Sequence, residues 1–144
     1  MLSFDVFKTL DFQVAAIIIA MDAHDGQFRH DNVTPYITHP ITVAAMVENN
    51  CKAIAYLHDV LEDSNKYTTD DLHKAGIPQY VIDAVVILTK TKGEDYQLYL
   101  QRVKANEYAR KVKIADIQHN LSTLDASKPI RREKYVKALV FLRS

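Results

Sequence analysis

Apolar residues recur at helical spacing along nearly the whole chain, and no useful stretch alternates with the two-residue period of a strand. That pattern confines the fold to packed helices. Only three Gly and four Pro interrupt the 144 residues. The spacing predicts a first helix over 4–24 with Gly26 as its stop, then a polar loop over 27–34. A second helix is opened by Pro40 and runs to Glu48, and a third covers 51–63. Further helices are expected over 70–74 (capped by Thr69, ended by Gly76), 78–90 (opened by Pro78), 95–104, 107–124 and 131–142. About eight such helices make a compact all-α bundle, one domain over 1–144.

Charge and cysteine content narrow the classes of function. Eighteen Lys and Arg balance eighteen Asp and Glu, so the net charge is zero. That balance argues against a broad basic surface for nucleic acid, though not against a small phosphorylated ligand. The one cysteine, Cys51, permits neither a disulfide framework nor a thiolate zinc cluster, and fits a reducing cytoplasm. The apolar run Val14–Met21 is too short to cross a bilayer and has acidic flanks, so it reads as a buried helix. Neither a membrane nor a nucleic acid is expected as a partner.

The chemistry concentrates around His58-Asp59, set in AYLHDVLEDS. On a helix Glu62 lies one turn above His58, and Asp63 one turn above Asp59. Ile54, Leu57 and Leu61 form the apolar stripe beside them. Two other segments bring candidate partners: His39 in PYITHP and Asp116 in KIAD. Asp116 shares a second, half-apolar face with His119, beside the stripe Ile114, Ile117, Leu121 and Leu124. A carboxylate withdrawn from water needs a partner or takes up a proton. If Asp59, Glu62, Asp63 and Asp116 converge, four carboxylates share a site, with no Lys or Arg expected among them. Two such charges 4 Å apart repel by about 4 kcal/mol at a protein-like dielectric. A divalent cation removes that difficulty. Imidazole and carboxylate ligands suit manganese, iron or zinc better than calcium, and the lack of Cys ligands tilts the choice to manganese. Taken singly, each element has a plainer reading: an adjacent His-Asp pair is usually a surface or capping feature, His39 an N-cap neighbour, Asp116 a solvated helix residue. The combination is far more specific than its parts.

Together these segments resemble the HD-domain phosphohydrolases, in particular the hydrolase domain of RelA/SpoT-type alarmone enzymes and their small stand-alone relatives. Ala23-His24-Asp25-Gly26-Gln27-Phe28-Arg29 is similar to the family's AH-x-GQ-x-R element, and Pro35-Tyr36-Ile37-Thr38-His39-Pro40 to its PYI-x-HP. The segment from Leu57 to Ser64 resembles LHDVVEDT, Leu88-Thr89-Lys90 an LTK element, and the segment from Val112 to Leu121 VKLADRLHNM. The resemblance implies one bound metal ion, usually manganese, held by His39, His58, Asp59 and Asp116. It implies that Glu62 and Asp63 position and activate the attacking water, with Arg29 and Asn120 on the substrate side. In the alarmone enzymes the reaction removes the 3′-pyrophosphate of guanosine tetraphosphate or pentaphosphate. General chemistry supports such roles: a divalent ion makes water a usable nucleophile near neutral pH, and a neighbouring carboxylate takes its proton.

Three positions depart from the alarmone pattern. Ile117 and Ser122 stand where the family carries Arg, and His30 where a basic residue follows Arg29. Each change removes a potential phosphate or purine contact, and an Arg fork is hard to replace. Lys90, Lys92 and Arg110 are candidate substitutes, although a solvated surface role is commoner for each. His24 reads either as a helix-end residue favoured by the dipole or as a border of the site, His119 as a partner behind Asp116, and neither as a metal ligand; His73 is expected to be solvent-exposed, and Tyr96 and Tyr99 to pack in the core. Three functions stay open: an alarmone 3′-pyrophosphohydrolase, a hydrolase of another small nucleotide (a monophosphate, an adenosine alarmone or NADPH), and a non-catalytic metal- or nucleotide-binding regulator. The 144 residues leave no room for a synthetase or regulatory domain, so only degradation of an alarmone is expected.

Overall fold

A computed structural model describes residues 3–144. Nine α-helical segments follow one another: α1 Phe12–Ala23, α2 Thr38–Ala45, α3 Lys52–Leu57, α4 Val60–Asp63, α5 Thr69–Lys74, α6 Gln79–Leu88, α7 Tyr96–Ala105, α8 Glu107–Thr123 and α9 Pro129–Arg143. Two 3₁₀ turns, Phe4–Thr9 and Asn49–Cys51, complete them. Among the described residues there is no strand, only an isolated bridge between Phe28 and Pro35. The all-α expectation therefore holds. No helix among the described residues is long and apolar enough to cross a membrane.

Two expected helices are broken, each by a side chain that competes with the helical backbone. The first is interrupted at Leu10-Asp11, where the Asp11 carboxylate accepts the N–H of Gln13 at 2.8 Å and caps a new helix. The third is interrupted at His58-Asp59, which separate α3 from α4. There the His58 ring takes the Ala55 carbonyl at 2.6 Å, and the chain tightens to i→i+3 bonding. The His-Asp pair thus sits at a joint rather than on a continuous helical face. Smaller differences follow from capping. Thr68, not Thr69, caps α5, in a reciprocal box with Asp71. Gly76 closes that helix at φ 83°, a conformation that favours glycine. Pro40 lies inside the first turn of α2, where its missing N–H costs no helical bond, so His39 belongs to that turn.

Packing sets which side chains can meet. α3 packs against α1, α2, α6 and α8; α8 in turn packs against α2, α6, α7 and α9. Ile19, Ile54, Leu57, Leu72, Ile117 and Leu142 are fully buried between these layers. Burying each such side chain contributes about 1.5–3 kcal/mol. The mutual contact of α2, α3 and α8 brings His39, His58-Asp59 and Asp116 to one place.

Candidate metal centre

His39, His58 and Asp116 are buried, 1%, 3% and 4% exposed. One ligand atom from each of His39, His58 and Asp59 lies within 4.8 Å of the others. Asp116 Oδ1 closes the group, 2.7 Å from His39 Nε2 and 3.4 Å from His58 Nε2. Asp59 Oδ2 is 3.0 Å from His58 Nε2 and 3.8 Å from His39 Nε2. The four side chains predicted as ligands thus converge.

Each is oriented from behind. The Tyr36 hydroxyl donates to Asp59 Oδ2 at 2.6 Å. His119 Nδ1 lies 2.7 Å from His39 Nδ1, with the two rings stacked 5.0 Å apart. Asn120 Nδ2 donates to Asp116 Oδ1 at 3.2 Å, and Lys113 Nζ donates to Asp116 Oδ2 at 2.8 Å. Lys113 corrects one expectation: a cation does stand among the carboxylates, because residues three apart on α8 share a face.

The donor set fits a divalent ion, and His58 shows it. Its Nδ1 proton is committed to the Ala55 carbonyl, so Nε2 presents a lone pair. That nitrogen is buried, lies close to two carboxylate oxygens and forms no hydrogen bond with either. Lone pairs facing one another need a proton or a cation between them. In the absence of a cation, burial opposes the His58 imidazolium, but the charge of Asp59 and contacts with both carboxylates outweigh it and raise the pKa well above the usual value. Burial lowers His39 and His119. Asp59 and Asp116 are pushed up by burial, yet the first is held low by His58 and the second by Lys113. Two imidazole nitrogens and two carboxylates are a donor set for manganese, iron or zinc.

Glu62 and Asp63 lie on the solvent side of this group. Glu62 accepts the Lys90 N–H at 2.7 Å, and burial raises its pKa. Asp63 is exposed as a residue, but its carboxyl stands in the acidic corner. Partial burial, followed by the charges of Asp59 and Glu62, raises it to about 6. The Asp63 carbonyl accepts from Gln27 Nε2 at 2.9 Å, which ties this turn to the loop after α1.

Arg29 and Asn120 meet on the other side. Arg29 Nη2 donates to Asn120 Oδ1 at 3.3 Å and to Thr123 Oγ1 at 2.8 Å. A small pocket beside them, lined by Arg29, His30, Thr38, His119 and Thr123, adjoins a cleft of about 340 Å³ lined by His30, Thr123, Lys128 and Arg131. Lys128 and Arg131 were not singled out from the sequence, since basic residues at a helix start look like ordinary solvated surface. Tyr36 was likewise visible only as part of a motif. Among the proposed substitutes, Lys90 and Lys92 line a depression with Glu62. Arg110 instead donates to the Lys104 carbonyl, at the α7–α8 turn. Ile117 is fully buried in the core, so that departure from the alarmone pattern faces packed interior. Ser122 bonds the His119 carbonyl at 2.6 Å. His24 is buried against Tyr36, its ring 4.8 Å away, and borders the centre. His73 is exposed. Tyr99 is buried and Tyr96 partly so, both packed with the core.

No family model matches the chain. Among curated proteins it is similar to the guanosine-3′,5′-bis(diphosphate) 3′-pyrophosphohydrolase of Haemophilus influenzae, 32% identical over 136 residues. It is 28% identical over 137 residues to the bifunctional (p)ppGpp synthase/hydrolase SpoT of Escherichia coli, and 27% identical over 132 residues to a GTP pyrophosphokinase rsh of Brucella abortus. These alignments take in 83%, 85% and 81% of this chain but only 20%, 19% and 17% of the relatives. The chain thus spans about a fifth of the length of the curated relatives it matches.

Proposed function

We propose, for a chain homologous to the HD-type hydrolase region of RelA/SpoT proteins, the function of a metal-dependent nucleotide phosphohydrolase. Its best specific substrate is guanosine 3′,5′-bis(diphosphate), and its place is the cytoplasm. The observation that carries this reading is the buried, unbonded His58 Nε2 among two carboxylates, with the raised Asp63 carboxyl at the edge of the same group. His39, His58, Asp59 and Asp116 would hold one manganese ion. Such an ion, when bound, lowers the pKa of water and polarises a phosphoryl oxygen.

The other roles belong to the chain's own groups. Asp63 accepts the proton of the attacking water, for which a pKa near neutrality suits a base. Glu62, fixed by the Lys90 N–H, orients that water. Arg29 binds a phosphoryl oxygen, and Asn120 couples Arg29 to Asp116 so that substrate and ligand shell are aligned. As the water oxygen bonds to phosphorus, the bond from phosphorus to the ribose 3′ oxygen breaks. The 3′ oxygen regains a proton, and guanosine diphosphate and pyrophosphate leave.

A second reading, hydrolysis of a different small nucleotide, draws on the positions that lack the alarmone enzymes' arginines, Ile117 and Ser122. A manganese-supplemented screen of ppGpp, pppGpp, pppApp, nucleoside monophosphates and NADPH, read by released phosphate or pyrophosphate, separates the two. Pyrophosphate from ppGpp supports the first. Phosphate from monophosphates or NADPH alone supports the second. No release from any of them, with manganese bound, leaves a regulator.

A further inference from the structure

We infer that Lys113 is the counter-cation of the centre: it reserves one oxygen of Asp116 for the ion and sets how tightly a divalent cation binds. This rests on the metal-centre reading above. The two oxygens of the buried Asp116 have separate partners. Oδ2 accepts from Lys113 Nζ at 2.8 Å, while Oδ1 faces His39 Nε2 at 2.7 Å and accepts from Asn120 Nδ2 at 3.2 Å. Asp116 is thereby prepared to give a metal one oxygen. Two would require the ammonium to leave, and its surroundings oppose that. Nζ lies 5.4 Å from the centroid of the Tyr99 ring, whose own hydroxyl is anchored on the Leu88 carbonyl at 2.7 Å. Tyr99 is 2% exposed, so this wall does not move freely.

The charge balance explains what such a lysine does. Without an ion, Asp59 and Asp116 would be two anions withdrawn from water. Lys113 partners one of them, as Tyr36 and His58 partner the other, so the fold does not depend on the ion. Once a cation is bound, the same ammonium opposes it across the Asp116 carboxylate. Lys113 therefore favours an exchangeable ion over a permanently held one. It is a positioning residue: it acts through Asp116.

The test is calorimetric titration of Mn2+ into the metal-stripped wild type, Lys113→Gln, Lys113→Met and Lys113→Arg, with the thermal midpoint of each stripped protein. Gln still donates to Oδ2 without a charge, Met does neither, and Arg keeps the charge. The Gln and Met variants should melt lower when stripped, bind Mn2+ about tenfold or more tightly than wild type, and gain more in midpoint when the ion is added. The Arg variant should bind close to wild type. Unchanged or weaker Mn2+ binding by the two neutral variants overturns the inference. If neither folds when stripped, a tenfold change in affinity of the Arg variant overturns it, and an unchanged affinity supports it. A wild type that binds no Mn2+, Fe2+ or Zn2+ sinks the metal-centre reading as well; one that binds while the neutral variants do not shift sinks this inference alone.

Discussion

The floor of the site and its rim are built on different terms. On the floor, His39, His58 and Asp116 are nearly free of solvent, and each is held from behind by a specific partner: His119, the Ala55 carbonyl and Lys113. At the rim, Glu62 and Asp63 are exposed and Arg29 is half-buried, with partners on loops and helix ends. Desolvated charges tolerate little change, because an unpaired one costs several kcal/mol. Exposed ones can be replaced at small cost to the fold. The difference teaches that the proposed ion ligands are tied into the packed core at the floor, whereas the proposed substrate contacts sit where substitution disturbs the fold little. His30 and Ser122, two of the three departures from the alarmone pattern, are rim positions; Ile117 lies in the core.

The sharpest way to break this division is at Asp59. Asp59→Ala should weaken Mn2+ binding at least about a hundredfold and abolish hydrolysis; retained binding in a calorimetric titration would show that the floor is not the ion site. Next, Asp63→Asn should lower kcat by about 10²–10⁴ with the Mn2+ affinity unchanged. An unaltered rate removes Asp63 as the base, and a lost ion would move it from the rim to the floor. His119→Phe keeps a ring to stack on His39 but removes the hydrogen-bond partner of its Nδ1. It should weaken Mn2+ binding about 10–100-fold. Arg29→Ala should raise KM about tenfold with little change in Mn2+ affinity, as expected for one charge-assisted phosphate contact at a solvent-facing position.

The smallest effect concerns pH. In the metal-free protein the Asp63 pKa is raised from 3.8 to about 6, first by burial and then by Asp59 and Glu62. A raised carboxyl contributes stability that is complete below its unfolded value and lost as pH rises through the folded one. Metal-free wild type should therefore lose stability relative to Asp63→Asn between pH 4 and pH 6.5. Solvent screening holds the difference to about 1 kcal/mol. Thermal melts of both proteins across that window check the sign; a wild type that gains stability relative to Asp63→Asn as pH rises contradicts it.

How far the sequence was legible depended on the range of each interaction. The eight expected helices are present because apolar spacing, caps and the Gly and Pro stops act within a few residues. The two breaks were missed where one side chain, Asp11 or His58, redirects a backbone bond. The same ring geometry moved His58-Asp59 from a helical face to a joint between helices. Within the candidate site, His39, His58, Asp59 and Asp116 were found from residue types and motif context, and the structure brings them together. Lys113 was read as part of the KIAD segment but not as a partner of Asp116. Nothing in a helical wheel says whether a lysine one turn away points to solvent or curls inward. Lys128 and Arg131 reach the cleft only because α9 begins beside Thr123 and His30.

By itself the sequence determined an all-α chain carrying two imidazoles and several carboxylates on apolar helices, since periodicity and side-chain chemistry are local properties. Only the tertiary structure decided which atoms meet: the free Nε2 of His58 between two carboxylates, His119 behind His39, and the ammonium of Lys113 on the far oxygen of Asp116. Those contacts join α2, the α3–α4 joint and α8, and depend on the rotamers that helix packing allows. That dependence on distant parts of the chain is why the ligand types were readable in one dimension and their electrostatic balance was not.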